Sequence, residues 1–235
     1  EAGREAFRWA GVLAQADAAA ISAGFPNCAG GASKAPFDIL GDTLRGTRAI
    51  VVDMYRRPGK VLEAVERLTP LAIKMGVEGA NRSRQPLTFI PLHKGADGFM
   101  SDEQYRTFYW PTLRKVIEGL IEEGVVPFLF AEGGYNSRLE VIREVPRGAT
   151  VWMFDQTDMS RAKEVLGGVA CIMGNVPLSM LEVGDPERVE AYCKGLIEVA
   201  GRGGGFILSN GAVIDVAKPE CVQAMIDSAK KYGAY

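Results

Sequence analysis

The chain has 235 residues, 47% of them hydrophobic and 24% charged, enough for one sizeable domain with a buried core. A formal net charge of −2 and a pI near 5.7 argue against the clustered basic surface that nucleic-acid binding needs. No apolar run reaches the roughly 18 to 20 residues of a bilayer span and no secretory signal pattern opens the chain, so a cytoplasmic protein without membrane contact is expected.

Glu1 to Ala23 reads as an amphipathic helix with Phe7, Ala10, Val12, Leu13 and Ala14 near one side, and no strand precedes it. A turn-rich stretch over Gly24 to Pro36 follows, then a helical segment from about Phe37 to Tyr55. Its AIVVDMY run has strand composition, but the flanking LGDTLRG and RRPGKVLEAVERL are helical or cap-like. Pro58 suits the first turn of a further helix, Gly59 to Met75, where Val61, Leu62, Val65, Leu68 and Leu71 give one apolar face. The first 80 residues are therefore expected to be mainly helical.

From residue 86 to 235 the pattern changes to a rhythm of short apolar run, polar or glycine-rich cluster and helix-length amphipathic segment, repeated five times. The runs are Leu87 to Leu92, Val126 to Ala131, Thr150 to Phe154, Val169 to Gly174 and Gly205 to Asn210. Continuous rather than alternating hydrophobicity marks strands covered on both faces, as in a parallel sheet flanked by crossover helices. Helix starts agree with this reading: Ser101 and Gln104 form a capping box, Asp158 suits an N-cap, and Asp185 precedes a first-turn proline, Pro186. The glycines at 201 and 203–205 precede a strand instead of following one, which disfavours a phosphate cradle. The expected fold class is α/β, a single (β/α)8 TIM-barrel-like domain that is incomplete, since a closed barrel takes about 250 residues. Either three N-terminal strands are missing, or the sheet stays open with an edge that a partner covers.

Ligands of such sheets bind at the carboxyl ends of the strands, so the five polar clusters form the candidate rim. Glu132 follows an apolar strand; pointing inward, it would have its pKa raised by desolvation and serve as a general acid or base, whereas a structural role would pair it with Arg138. His93, the sole histidine, follows the first run together with Lys94, which suits a substrate carboxylate, and Asp97. Asp155 and Gln156 follow the third run, Asn175 the fourth, and Ser209 and Asn210 close the fifth. Tyr135 either donates to a substrate or caps the pocket wall, and Tyr105, Phe108, Tyr109 and Trp110 read as helix packing. The expected catalytic set is Glu132, His93 and Asp155, with Lys94, Asp97, Tyr135, Gln156, Asn175, Ser209 and Asn210 binding substrate. A metal on Glu132, His93 and Asp155 with Cys171 is the less favoured use of the same side chains, because Cys171 lies within its strand. Cys28, Cys171, Cys193 and Cys221 are far apart with no C-x-x-C, which points to reduced thiols.

The segments IPLHKGADGFMS, EEGVVPFLFAEGG, WMFDQTDMSRAKEVLGG, IMGNVPLSML and GGGFILSNGAV together resemble the uroporphyrinogen decarboxylase superfamily over most of the chain. The Gly174 to Pro177 element with its DPE helix start, and the Gly204 to Gly211 element, carry the resemblance most specifically. It implies the C-terminal part of a (β/α)8 barrel, with roughly the first third absent, cleaved or carried on a second chain. It also implies one of two chemistries: cofactor-free decarboxylation of porphyrinogens or other carboxylates, or methyl transfer between a corrinoid and a thiol or methoxy compound. The His-x-Cys zinc pair of the methyltransferases falls on Phe130 and Glu132, and their late cysteine on Gly211-Ala212, so zinc is not expected. The decarboxylases' late histidine is Ala212 here, and their catalytic aspartate is expected in the missing part. The ILSNGA form is nearer the methyltransferases, so the expected reaction moves a methyl group from a small methylated or methoxylated substrate to a corrinoid (cobalamin) co-substrate. No tightly bound cofactor is implied; a corrinoid protein and a second copy of the chain are the expected partners. A non-catalytic ligand- or partner-binding barrel is the remaining alternative.

Overall fold

The structure, a computed structural model, describes residues 1–24 and 30–234. Residues 25–29 of the expected turn-rich stretch, Cys28 among them, lie outside the described residues. The chain runs α1 (Ala2–Ser22), β1 (Gly31–Ala32), α2 (Pro36–Asp38) continuing as a π-helical turn over Ile39–Leu44, α3 (Thr47–Arg56), α4 (Pro58–Ser83) and β2 (Leu87–Leu92). Next come α5 (Asp102–Gln104), a π-helical turn over Tyr105–Tyr109, α6 (Trp110–Glu122), β3 (Val126–Ala131), α7 (Leu139–Ile142) and β4 (Val151–Phe154). The chain ends with α8 (Met159–Leu166), β5 (Cys171–Val176), α9 (Leu178–Glu182), α10 (Pro186–Ala200), β6 (Phe206–Asn210) and α11 (Pro219–Tyr232). Among the described residues the six strands are all parallel and lie side by side in chain order, with helices in the crossovers, an α/β, TIM-barrel-like arrangement.

The sixth strand, β1, was not among the five expected. Its two residues read as turn because they are glycine-rich, yet the glycines are what let α4 lie against them. A Cβ on Gly31 would stand 2.4 Å from the Gly76 carbonyl oxygen, and one on Gly79 would stand 2.7 Å from the Gly31 Cα. Glycine inside a strand marks such a close backbone approach. Ser33 extends the pairing by donating its N–H to the Phe89 carbonyl, and its hydroxyl bonds the Ala72 carbonyl of α4. The AIVVDMY run is helical, as α3, and α4 runs eight residues past the expected Met75, to Ser83. Its buried face is Val61, Val65, Thr69, Ala72, Gly76 and Ala80, not the expected row, because Leu62 and Leu71 are left outside. The small residues at 72, 76 and 80 are those the tight contact with β1 requires.

Both sheet faces are apolar for a structural reason. Thr88 donates its hydroxyl to the Gly76 carbonyl of α4, so Thr88, Ile90 and Leu92 face the helices, and alternation turns Phe89 and Pro91 to the inner face. Register carries the inner row across the sheet: Phe89 beside Phe128, Pro91 beside Phe130, Phe130 beside Met153, Met153 beside Met173 and Met173 beside Ile207. Phe89 packs edge-on to Phe128 at 5.4 Å and stacks with Phe130 at 6.1 Å. The helix-side row, with Ile90, Leu92, Leu129, Trp152, Phe154 and Ile172, is fully buried, whereas Ile207 of the inner row is 44% exposed. No pairing joins β6 to β1 among the described residues, so the sheet has two edges.

The expected caps are present. The Ser101 hydroxyl accepts from the Gln104 N–H, with the reciprocal bond from the Ser101 N–H; Asp158 accepts from Ser160 and Arg161; Asp185 accepts from Arg188. Cys193 and Cys221 are buried and free, and Cys171 is half-buried in β5. No helix among the described residues is long and apolar enough to cross a membrane.

Candidate functional site

Strand register builds the rim. Leu92 pairs with Ala131 and Ala131 with Phe154, so His93, Glu132 and Asp155 follow one another just past the ends of β2, β3 and β4. Met153 beside Met173 and Asn175 beside Ser209 extend the row over β5 and β6. Five of the expected site residues therefore share one layer, which the loops then divide into two regions.

The first region centres on His93. Its Nε2 lies 3.7 Å from Glu132 Oε1, and its Nδ1 lies 2.6 Å from Asp42 Oδ2. Asp42 also receives the Lys34 ammonium at 3.1 Å and that of Lys94. Burial works to raise the Asp42 carboxyl, but hydrogen bonds from Lys94, His93 and Lys34 outweigh it and hold it down at about 2. Beneath this cluster Asp38 is fully buried: it accepts the backbone N–H groups of His93 and Lys94, each at 3.1 Å, and the Tyr109 hydroxyl at 2.6 Å. Burial pushes its carboxyl up to about 6, the Tyr109 bond opposing and the charge of Asp42 adding to the rise. Asp38 thus fixes the backbone after β2, and Asp42 places a negative charge against one side of the imidazole.

The second region is a cleft of about 710 Å³ past the ends of β4 and β5, lined by Asp155, Gln156, Asn175, Ser179, Tyr192 and Ala212, among others. Asp155 accepts the Gly133 N–H at 3.0 Å, tying the loops after β3 and β4 together. Asn175 donates both amide hydrogens, to the Asp155 and Thr157 carbonyls, each at 2.8 Å, so its amide fixes the loop after β4. Ser209 is buried against Asn210, whose amide turns back to the Ala212 carbonyl.

Three expected binding residues are committed elsewhere. Lys94 is 6% exposed, paired with Asp42 and 5.7 Å from the Phe99 ring centre, so it is not free to clamp a substrate carboxylate. Asp97 accepts from the Ser137 hydroxyl at 2.8 Å and lies 3.5 Å from the Arg138 guanidinium. Tyr135 is fully buried, donating its hydroxyl to the Leu92 carbonyl and its N–H to Thr157 Oγ1. Arg138 is buried on Asp97, Asp102, the Gly95 and Met100 carbonyls and the Tyr105 ring, and no ion pair joins it to Glu132 among the described residues. The structural role considered for Glu132 is therefore filled by other acids. Nor is Glu132 desolvated as expected, its side chain being 40% exposed. Among the described residues no three His, Cys, Asp or Glu side chains are placed to hold a metal ion, so the alternative with Asp155 and Cys171 does not assemble.

Lys34, Asp38 and Asp42 were missed by sequence reasoning. The available signal was the spacing of Asp38 and Asp42, one helical turn apart in the otherwise apolar FDILGDTL. The rim thus does include aspartates from the N-terminal part of the chain, where none was expected.

The family model described as uroporphyrinogen decarboxylase (URO-D) matches residues 28–232. The chain belongs to the uroporphyrinogen decarboxylase family. Curated uroporphyrinogen decarboxylases resemble it at modest identity: that of Photorhabdus laumondii is 31% identical over 144 residues, covering 58% of this chain and 39% of the relative. That of Cellvibrio japonicus is 26% identical over 199 residues, covering 82% of this chain and 54% of the relative. A solved structure described as a methyltransferase from Methanosarcina mazei shares the fold with a TM-score of 0.72 at 17% identity, over 86% of this chain and 58% of that one. The matches therefore take in from about two-fifths to under three-fifths of each of these family relatives and of the solved structure. Decarboxylation is the activity named for the curated relatives and methyl transfer that named for the structural neighbour.

Proposed function

We propose that this uroporphyrinogen decarboxylase-family chain carries the proton-handling side of an enzyme site that transfers a methyl group from a small methylated or methoxylated compound to a corrinoid. The observation that supports this most directly is the 3.7 Å approach of His93 Nε2 to Glu132 Oε1 at the carboxyl ends of β2 and β3. That separation puts an imidazole nitrogen and a carboxylate, the two side-chain types best suited to acid–base work, side by side at the rim. A methoxy group leaves as an alcohol only if its oxygen gains a proton, which is the general-acid role this reading gives to Glu132. The apolar inner row below, with Phe89, Phe128 and Phe130, suits an aromatic or aliphatic body.

The sole histidine has Asp42 on one ring nitrogen and Glu132 toward the other, so this reading assigns it to proton handling and not to cobalt. The corrinoid enters the proposal as a co-substrate delivered by a separate protein. The second reading is decarboxylation, favoured by the names of the curated relatives.

The test is turnover by the full chain. Methoxy-aromatic compounds mixed with cob(I)alamin should change the corrinoid spectrum, and Glu132→Gln should slow that change by about 10²–10⁴-fold, the usual size of a general-acid contribution. Unchanged turnover in Glu132→Gln would sink the role of Glu132. Carbon dioxide release from a porphyrinogen with no corrinoid response would replace methyl transfer by the second reading, and saturable ligand binding with neither would leave a binding barrel.

A further inference from the structure

Each ring nitrogen of His93 faces a carboxylate, and one of the two carboxylates comes from far away in the chain. Asp42 lies on the π-helical turn after α2, 51 positions before His93 in sequence, and meets Nδ1 at 2.6 Å. We propose that Asp42 is the positioning residue of the rim: it fixes the imidazole as the Nδ1–H tautomer, leaving Nε2 as the one nitrogen that takes up and releases a proton, turned toward Glu132. The part this plays in turnover rests on the proton-handling role proposed for the Glu132–His93 pair; the tautomer does not.

Lys94 binds Asp42 Oδ1, and Lys34 binds Oδ2, the oxygen that also meets the imidazole. Two ammonium groups keep that carboxylate ionised, and an ionised carboxylate only accepts hydrogen bonds, so the proton of the Asp42–His93 contact resides on Nδ1. Rotating the ring to present Nε2 instead would carry Nδ1 away from Asp42, and the backbone cannot follow, because Asp38 holds the N–H groups of both His93 and Lys94. Lys94 reaches Asp42 over Gly41, where a Cβ would stand 2.9 Å from the lysine Cδ and Cε atoms. The charged groups facing the imidazole are then Asp42, with Lys34 and Lys94 behind it, on one side, Glu132 on the other and Asp38 beneath. Among the described residues only Glu132 faces Nε2. This is the arrangement in which a carboxylate selects the tautomer of a general base without itself taking a proton.

The chain contains a single histidine, so the ring nitrogens of ¹⁵N-histidine-labelled protein give one unambiguous pair of signals. At alkaline pH, where the ring is neutral, a two-bond ¹H–¹⁵N correlation should show Nδ1 as the protonated, pyrrole-like nitrogen and Nε2 as the pyridine-like one. Asp42→Asn, whose amide can donate to Nδ1, should exchange the two assignments, and Asp42→Glu should restore the original one. Glu132→Gln should leave Nδ1 protonated. In turnover Asp42→Asn should lower kcat by about 10²–10⁴-fold with little change in KM, as expected when a base is held in the wrong tautomer. Nε2–H or an even mixture in the wild type overturns the proposal, and so does an Asp42→Asn spectrum identical to wild type. If Asp42→Asn does not fold, the wild-type spectrum decides alone. Nδ1–H in a protein that turns over no methylated substrate would uphold the positioning by Asp42 while removing the methyl-transfer reading.

Discussion

At the residue scale, Asp38 and Asp42 have opposite electrostatic consequences although they are one helical turn apart. Asp38 keeps its proton up to about 6 in the folded protein, whereas the unfolded chain releases it near 3.8. The folded state binds more protons between those values, so this group's contribution to stability falls as pH rises from 3.8 to 6. Asp42 titrates at about 2 when folded, so its contribution is fully present above 3.8 and is lost as pH falls from there toward 2. Each is worth about 1–3 kcal/mol. Urea unfolding as a function of pH should show a maximum near pH 4 from these two groups; Asp38→Asn should flatten the limb above it and Asp42→Asn the limb below it. A limb that survives its own substitution would show that another group produces it. Asp38→Ala should also cost about 3 kcal/mol or more at neutral pH, because the His93 N–H, the Lys94 N–H and the Tyr109 hydroxyl would be left buried and unpaired. The rim residues that follow strands were legible in the sequence, since strand ends point to the rim whatever the loops do. Lys34, Asp38 and Asp42 were not, because their part in the site depends on a contact across more than fifty residues, and of the two roles open to Tyr135 its burial was not legible, because nothing in its loop tells a buried tyrosine from an exposed one.

At the element scale, five strands were readable because a long, continuous apolar run bounded by glycine, proline and caps fits a strand buried on both faces and little else. The boundaries moved by one or two residues, as for β5, which begins at Cys171 instead of Val169. The strand that escaped, β1, is defined by what its residues lack. Glycine there is a packing requirement, and composition reads it as a turn. Gly31→Ala would drive its Cβ to within 2.4 Å of the Gly76 carbonyl oxygen and 2.7 Å of the Ala80 nitrogen, both backbone atoms of α4 that cannot turn aside. The expected cost is about 1–3 kcal/mol, as for other overpacked sites, read as a lower urea midpoint with unchanged slope. Gly195, inside α10 with nothing within 4 Å of an added Cβ, is the control. Gly195→Ala should raise stability by about 0.5–1 kcal/mol through helix propensity alone. Equal effects at the two positions would mean that β1 and α4 are not in the tight contact described.

At the scale of the whole molecule, the first helix stands apart from the rest. α1 reads as amphipathic, yet none of its residues is buried, and Phe7 and Trp9 are 85% and 63% exposed. At about 100° per residue Val12 falls far from Phe7 around the helix, so the expected single apolar side does not hold for it. Periodicity shows that a helix has an apolar face; it says nothing about which surface that face meets, and here it meets none among the described residues. A helix of 21 residues with none of them buried is marginal in water, so α1 adds little to the cooperative unit. The folded body is carried instead by the row of Ile90, Leu92, Leu129, Trp152, Phe154 and Ile172 under α4, α6, α8 and α10. Removing residues 1–22 should therefore leave the urea midpoint and slope unchanged to within about 0.5 kcal/mol, the range of surface changes that touch no buried feature. Amide exchange should agree, with fast exchange throughout α1 and slow exchange in β2 to β5. A loss of about 2 kcal/mol or more on truncation, or slow exchange within α1, would mean that its apolar face is covered in solution, and the covering surface would then be the place to look for a partner.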